Sequence, residues 1–175
     1  MSELELIEKE QKILVIVWGA FLGATGVYLW LPNLLPEQGQ ALREPSISRI
    51  IRAVVWAVVV IEVGFLIWWK KHFLTKEGIL GMIGKVGFGV SLVREHRGSS
   101  EERAVKALSQ YRVGKVVAFA IAESFALYGS VLAYAGRYVW DQYMLVALCI
   151  TVLLYLYPSK ASLNELMKEV RAVRG

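Results

Sequence analysis

The stretch ILVIVWGAFLGATGVYLWL, Ile13 to Leu31, runs 19 residues without a charged side chain and is followed by Pro32. A lipid hydrocarbon core is about 30 Å thick, and a helix needs about 20 mainly apolar residues to cross it. Three further blocks have this length and character: Ile50–Trp69, Val113–Gly136 and Val139–Tyr157, the last followed by Pro158. The helices of a soluble bundle would carry polar stripes at helical spacing, and the first and fourth blocks have almost none. The pattern predicts an all-α integral membrane four-helix bundle, one membrane domain over residues 1–175, with spans at 13–31, 50–69, 113–136 and 139–157.

Composition points the same way. The chain is 56% hydrophobic and 20% charged, with a mean hydropathy of +0.47; a soluble domain runs about 45–50% apolar and about 25% charged. Trp30, Trp68, Trp69, Tyr111, Tyr138, Trp140 and Tyr157 sit near the block ends, as interfacial anchors do. The segment before the first block is acidic, with Glu3, Glu5, Glu8 and Glu10, and the block exceeds the roughly 7–15 residues of a signal peptide's apolar region. The first block is therefore expected to stay attached as a helix.

Lysine and arginine set the orientation. Sixteen lie in the two tails and the middle segment with its flanks, against four (Arg43, Arg49, Arg52, Arg137) on the other side. Positive charge stays inside, so both termini and the segment 70–110 are expected in the cytoplasm, with the chain multi-pass in a bacterial cytoplasmic (inner) membrane. The net charge of +5 reads as topology and attraction to the lipid bilayer, with no aromatic–basic pattern suited to nucleic acid.

The connections differ in kind. Pro32 to Ser46 holds three prolines and reads as an external loop. A few residues around Arg137 and Tyr138 join the third and fourth blocks, which makes those helices antiparallel neighbours. In the middle segment, Gly78, Gly81, Gly84 and Gly87 recur at period three, followed by Gly89. That strip fits a membrane-surface or re-entrant segment, or a partner-binding strip where glycine permits close approach. Ser99 or Ser100 before Glu101 and Glu102 marks a helix start leading into the third span. After Pro158, Ser162 and Glu165 form a capping box that opens an amphipathic surface helix over 162–174.

Glu62 and Glu123 are the residues within the spans that could carry chemistry. Spans two and three run in opposite directions, so the two acids fall at similar depth, about 10 Å and about 15 Å from the cytoplasmic ends. Intramembrane acids usually face the bundle interior or a polar cavity. Two close together would share one proton and titrate as a pair. This makes Glu123 and Glu62, with Tyr128 and Ser124, an ion-binding candidate. The structural alternative is that each acid bonds across helices to Ser124, Ser130, Tyr128, Thr25 or Arg52 and glues the bundle. Asp141 and Gln142, at the outer end of span four, read as interfacial and inert.

Small-residue faces predict helix packing. Span one carries Gly19, Gly23 and Gly26; span three carries Ala118, Ala122, Ala126 and Ser130. Such stripes let backbones approach where lipid gives no hydrophobic drive. The contact is expected within the chain, with a second copy in a homo-oligomer, or within a larger membrane complex.

Other chemistry is excluded by inventory. One cysteine, Cys149, forbids an intramolecular disulfide and cysteine-clustered metal sites. The two histidines, His72 and His96, both lie outside the spans, so neither haem nor another metal is expected. HExxH and GxSxG are absent, and the chain reads as non-enzymatic with no cofactor.

The text AIAESFALYGSVLAYA, Ala120 to Ala135, resembles the acid-bearing helix of the rotary ATPase proteolipid (c-type) subunits. That resemblance implies an ion-carrying role for Glu123, with Tyr128 and Gly129 in the aliphatic-Tyr-Gly run that follows. It covers about 20 residues, and the acids here fall in spans two and three, where a two-hairpin proteolipid has them in two and four. As a whole the chain resembles small, uncharacterised four-span bacterial membrane proteins. They share an A-E-x-x-A-x-Y-G span and a last span ending in Tyr-Pro, and this likeness implies architecture and no activity.

Overall fold

The computed structural model describes residues 3–34, 45–75, 78 and 100–172. They form five α-helices: α1 (Glu3–Leu34), α2 (Pro45–Trp69), α3 (Ser100–Gly136), α4 (Val139–Tyr155) and α5 (Lys160–Ala172). A single π-helical turn, Lys70–Leu74, continues α2. Among the described residues there is no strand. Gly81, Gly84, Gly87 and Gly89 of the glycine strip lie outside the described residues, as does most of the segment 70–110.

Helix is not what local propensity alone would give α2. Its run Ala53–Val63 holds Val54, Val55, Val58, Val59, Val60 and Ile61, β-branched residues that favour strands in water. In lipid the balance reverses, because a helix satisfies every backbone group within its own segment. Three stretches are long and apolar enough to cross a membrane: Glu5–Leu31, Ser46–Leu74 and Val105–Gly136. A fourth follows if α4 and α5, bent by 47°, are taken as one path. Val60, Ile61 and Ile67 on α2 and Ile16 and Val27 on α1 are exposed. Apolar surface on that scale belongs against lipid or protein.

α3 is the axis on which the others pack. α1, α2 and α4 all close on it, and α4 is its antiparallel neighbour. The main core holds Ala118, Phe119, Ala122, Phe125, Ala126 and Leu132 of α3 against Leu145, Val146, Cys149 and Leu153 of α4. A second core sits beyond it, where Leu163, Leu166 and Met167 of α5 meet Ile7 and Leu14 of α1 and Ala107, Leu108 and Tyr111 of α3. The amphipathic face of α5 is thus closed against the chain itself. Arg112 pairs with Glu10 at 3.2 Å and Lys160 with Glu8 at 3.2 Å. The N-terminal turns of α1, the start of α3 and α5 therefore lie at one end, the tail end.

The end of α1 and the start of α5 differ from the sequence expectation. Pro32 does not stop α1, which runs on to Leu34. Proline cannot give its N–H to the carbonyl four residues earlier, here that of Tyr28, and Gln142 Nε2 donates to that carbonyl instead, at 2.7 Å. α5 starts at Lys160, before the expected Ser162, because Ser159 Oγ accepts from the Ser162 N–H at 3.3 Å and caps the helix. The α3–α4 turn places Arg137 at φ 57°, and its N–H bonds the Ala133 carbonyl at 3.0 Å. Glycine would usually occupy that left-handed position. The glycine is instead at 136, where any Cβ would collide with the Tyr138 ring.

The two small-residue faces meet different fates. Ala118, Ala122, Ala126 and Ser130 are buried. Gly19, Gly23 and Gly26 take no part in packing within the chain: a Cβ at any of them would meet nothing within 4 Å. The reason lies in the helix's other face, where Leu14, Trp18, Phe21 and Thr25 turn to the core.

Candidate functional site

Polar groups cross the bundle in layers, and each layer is set by helical spacing. Ser124 and Tyr128 are four residues apart on α3 and so share a face. Both reach one carboxyl on α2: Ser124 Oγ donates to Glu62 Oε2 at 2.7 Å, and Tyr128 OH donates to Glu62 Oε1 at 2.8 Å. Ser124 also has the Ile121 carbonyl at 2.7 Å. Its single proton serves one acceptor at a time, while Tyr128 holds Glu62 throughout.

Glu123 precedes Ser124 by one residue, a rotation of about 100° around α3. It faces α1 and α4. The Tyr28 phenol and the Cys149 thiol lie near it. The Cys149 thiol lies 3.3 Å from Thr25 Oγ1, which also donates to its own helix at the Phe21 carbonyl, 2.9 Å away. Glu62 and Glu123 thus lie at a similar height along α3 but turn to different neighbours, Ser124 and Tyr128 for Glu62 and the Tyr28 and Cys149 side for Glu123. Both are half-buried.

Of the expected bonding partners, Ser124 and Tyr128 serve Glu62. Ser130 turns to the Ala126 carbonyl of its own helix. Arg52 goes elsewhere: it reaches Asp141 from Nε at 2.9 Å and from Nη2 at 3.0 Å. Trp56 Nε1 donates to the same carboxylate at 3.0 Å, and the Arg52 guanidinium stacks 4.9 Å from the Tyr138 ring centre. Asp141 is 6% exposed and Gln142 is 1% exposed. The expectation of an inert interfacial pair is therefore corrected. The sequence held a signal for this, since Arg52 and Asp141 are the charges that fall inside the outer ends of blocks two and four. Gln142 Oε1 is buried without a hydrogen-bond partner.

Gly129, part of the proteolipid-like run, has a packing task. A Cβ there would lie 3.0 Å from the Gln142 Cα and 3.2 Å from its carbonyl oxygen, so the glycine lets α4 close on α3. Near the tail end, Trp18 Nε1 donates to the Leu153 carbonyl at 2.8 Å and Trp69 Nε1 to the Gly114 carbonyl at 3.1 Å. From Gly114 to Gly136 α3 rises about 33 Å, close to a hydrocarbon thickness. Glu123 and Glu62 lie well inside that interval.

No family model matches the chain, and neither a curated protein nor a solved structure matches it.

Proposed function

We propose that this chain is a non-enzymatic structural or accessory protein of a bacterial cytoplasmic membrane. It spans the bilayer as a four-helix bundle and contacts a second copy or a partner protein through the open glycine face of α1. The tails and the α2–α3 connection are cytoplasmic in this reading, as the lysine and arginine asymmetry supports. The observation that carries the proposal is the contrast between the faces: Ala118, Ala122, Ala126 and Ser130 are consumed inside the chain, while nothing lies within 4 Å of a Cβ at Gly19, Gly23 or Gly26. An open small-residue face admits another helix at close range. Mass measurement of the protein extracted in mild detergent tests it. Assemblies that dissociate in Gly23→Leu support the reading, and a wild-type monomer without partner contradicts it.

The alternative is a proton- or cation-binding element built on Glu123 and Glu62. One observation favours it: among the described residues, the groups that come near Glu123 are the Tyr28 phenol and the Cys149 thiol, neither of them a cation. Against it, Glu62 is held by two hydroxyls, as expected of a carboxyl that fastens helices. Ion flux in liposomes separates the two readings, because Glu123→Gln abolishes flux only if Glu123 carries the ion.

A further inference from the structure

At the tail end, α3, α4, α5 and the π turn line an open cavity of about 370 Å³. Lys115 of α3 forms part of its wall and is only 7% exposed. Its Nζ donates to the Leu156 carbonyl at 2.9 Å, one of the acceptors left open where α4 ends. It also lies 5.5 Å from the Tyr111 ring centre. Lys70 enters from the π turn. Its Nζ donates to the Tyr155 hydroxyl and lies 4.1 Å from that ring's centre. The two lysines line the same cavity.

Burying a charge is costly unless an opposite charge meets it. Here the described contacts of both ammonium groups are a carbonyl, a phenol and ring faces, all neutral. Glu165 brings one carboxylate to the lining, against two cations. Hydroxyls complete the wall: Thr75, and Ser162, whose Oγ lies 2.9 Å from Ser159 Oγ. Two ammonium groups with hydroxyls among them suit an anion that accepts several hydrogen bonds at once, which is the chemistry of phosphate. The level fits too, because Trp69 and Tyr155 end the apolar runs of α2 and α4 beside this cavity, at the depth where headgroups lie.

We infer that this cavity binds an anionic phosphate group through Lys70 and Lys115, presented either by the headgroup of an anionic lipid or by a soluble phosphate. The lipid source rests on the membrane-spanning reading above; the soluble source does not.

The test uses the full chain, purified and delipidated in detergent, with two probes. Retention of dioleoylphosphatidylglycerol is measured by native mass spectrometry against dioleoylphosphatidylcholine, and inorganic phosphate is titrated against chloride at matched ionic strength. Preferential retention of the anionic lipid, weakened about tenfold in Lys70→Gln, is expected for the headgroup source. Glu165→Gln is expected to strengthen it. Binding of inorganic phosphate with the same dependence on Lys70, and no lipid preference, assigns the soluble source. The proposal is overturned if neither probe binds the wild type, or if Lys70→Gln retains both as the wild type does. Lys115→Met gives a second reading; should that variant fail to fold, Lys70→Gln, at the partly exposed wall, decides alone.

Discussion

Ala118, Ala122, Ala126 and Ser130 on α3 and Gly19, Gly23 and Gly26 on α1 are small-residue rows of nearly the same spacing. One is closed and the other open. The difference comes from what else each helix carries. On α3 the small residues alternate with Phe119, Phe125 and Leu132, so the same face offers both close approach and volume to fill. On α1 the inward face is taken by polar groups: Trp18 bonds Leu153, Thr25 lies against Cys149, and Tyr28 supplies a carbonyl for Gln142 and sets its phenol near Glu123. Directional bonds orient a helix in lipid more firmly than apolar surface does, because tails and side chains are equally apolar. The glycines point where the bonds leave them.

This contrast can be broken from the closed side first. Ala122→Leu places three extra carbons in a filled crossing and is expected to cost about 3 kcal/mol, read as a lower unfolding temperature in detergent. Unchanged melting would mean that the crossing is not closed. Asp141→Ala removes the acceptor of both Arg52 and Trp56 at the outer end of the bundle, with an expected loss of about 2 kcal/mol. A double-mutant cycle with Arg52→Ala should show the two changes to be far from additive. Tyr128→Phe removes one hydrogen bond from Glu62 and is expected to cost about 1 kcal/mol; a neutral result would detach α2 from α3 at this layer. The open side is expected to respond least. Gly23→Ala should hold stability or raise it by about 0.5–1 kcal/mol, as for a helix glycine with free space around it. A loss in the dissociated monomer would show that the face is closed by something the chain itself supplies.

Much of this arrangement could be read from residue order alone, and the reasons for the gaps are specific. The apolar blocks announced the long helices because their length exceeds anything a strand needs. Ser124 and Tyr128 were legible as partners of an intramembrane acid because they share a face four residues apart. Leu14, Trp18, Phe21, Thr25 and Tyr28 recur at alternating steps of four and three, and that repeat would have pointed α1 inward along its non-glycine side. The glycine spacing was the louder pattern and hid it. Asp141 was misread because an acid beside Trp140 at a helix end looks interfacial. Its partner Arg52 lies 89 residues away in sequence, and only the antiparallel packing of α2 and α3–α4 brings them together. Pro32 failed as a stop signal because the cost of its missing donor is offset by Gln142, again a distant residue. Helix existence is a local property, whereas each of these errors concerns a bond between segments.

The central claim is that the chain crosses the bilayer with both tails and the α2–α3 connection on one face and the α1–α2 connection on the other. Single cysteines introduced as Ser2→Cys, Gln38→Cys, Ser99→Cys and Arg174→Cys in a Cys149→Ser background, probed with a membrane-impermeant maleimide on intact cells, test it directly. The account predicts that position 38 is labelled from outside, while positions 2, 99 and 174 react only after the membrane is permeabilised. Labelling of either tail position together with position 38 in intact cells would contradict it.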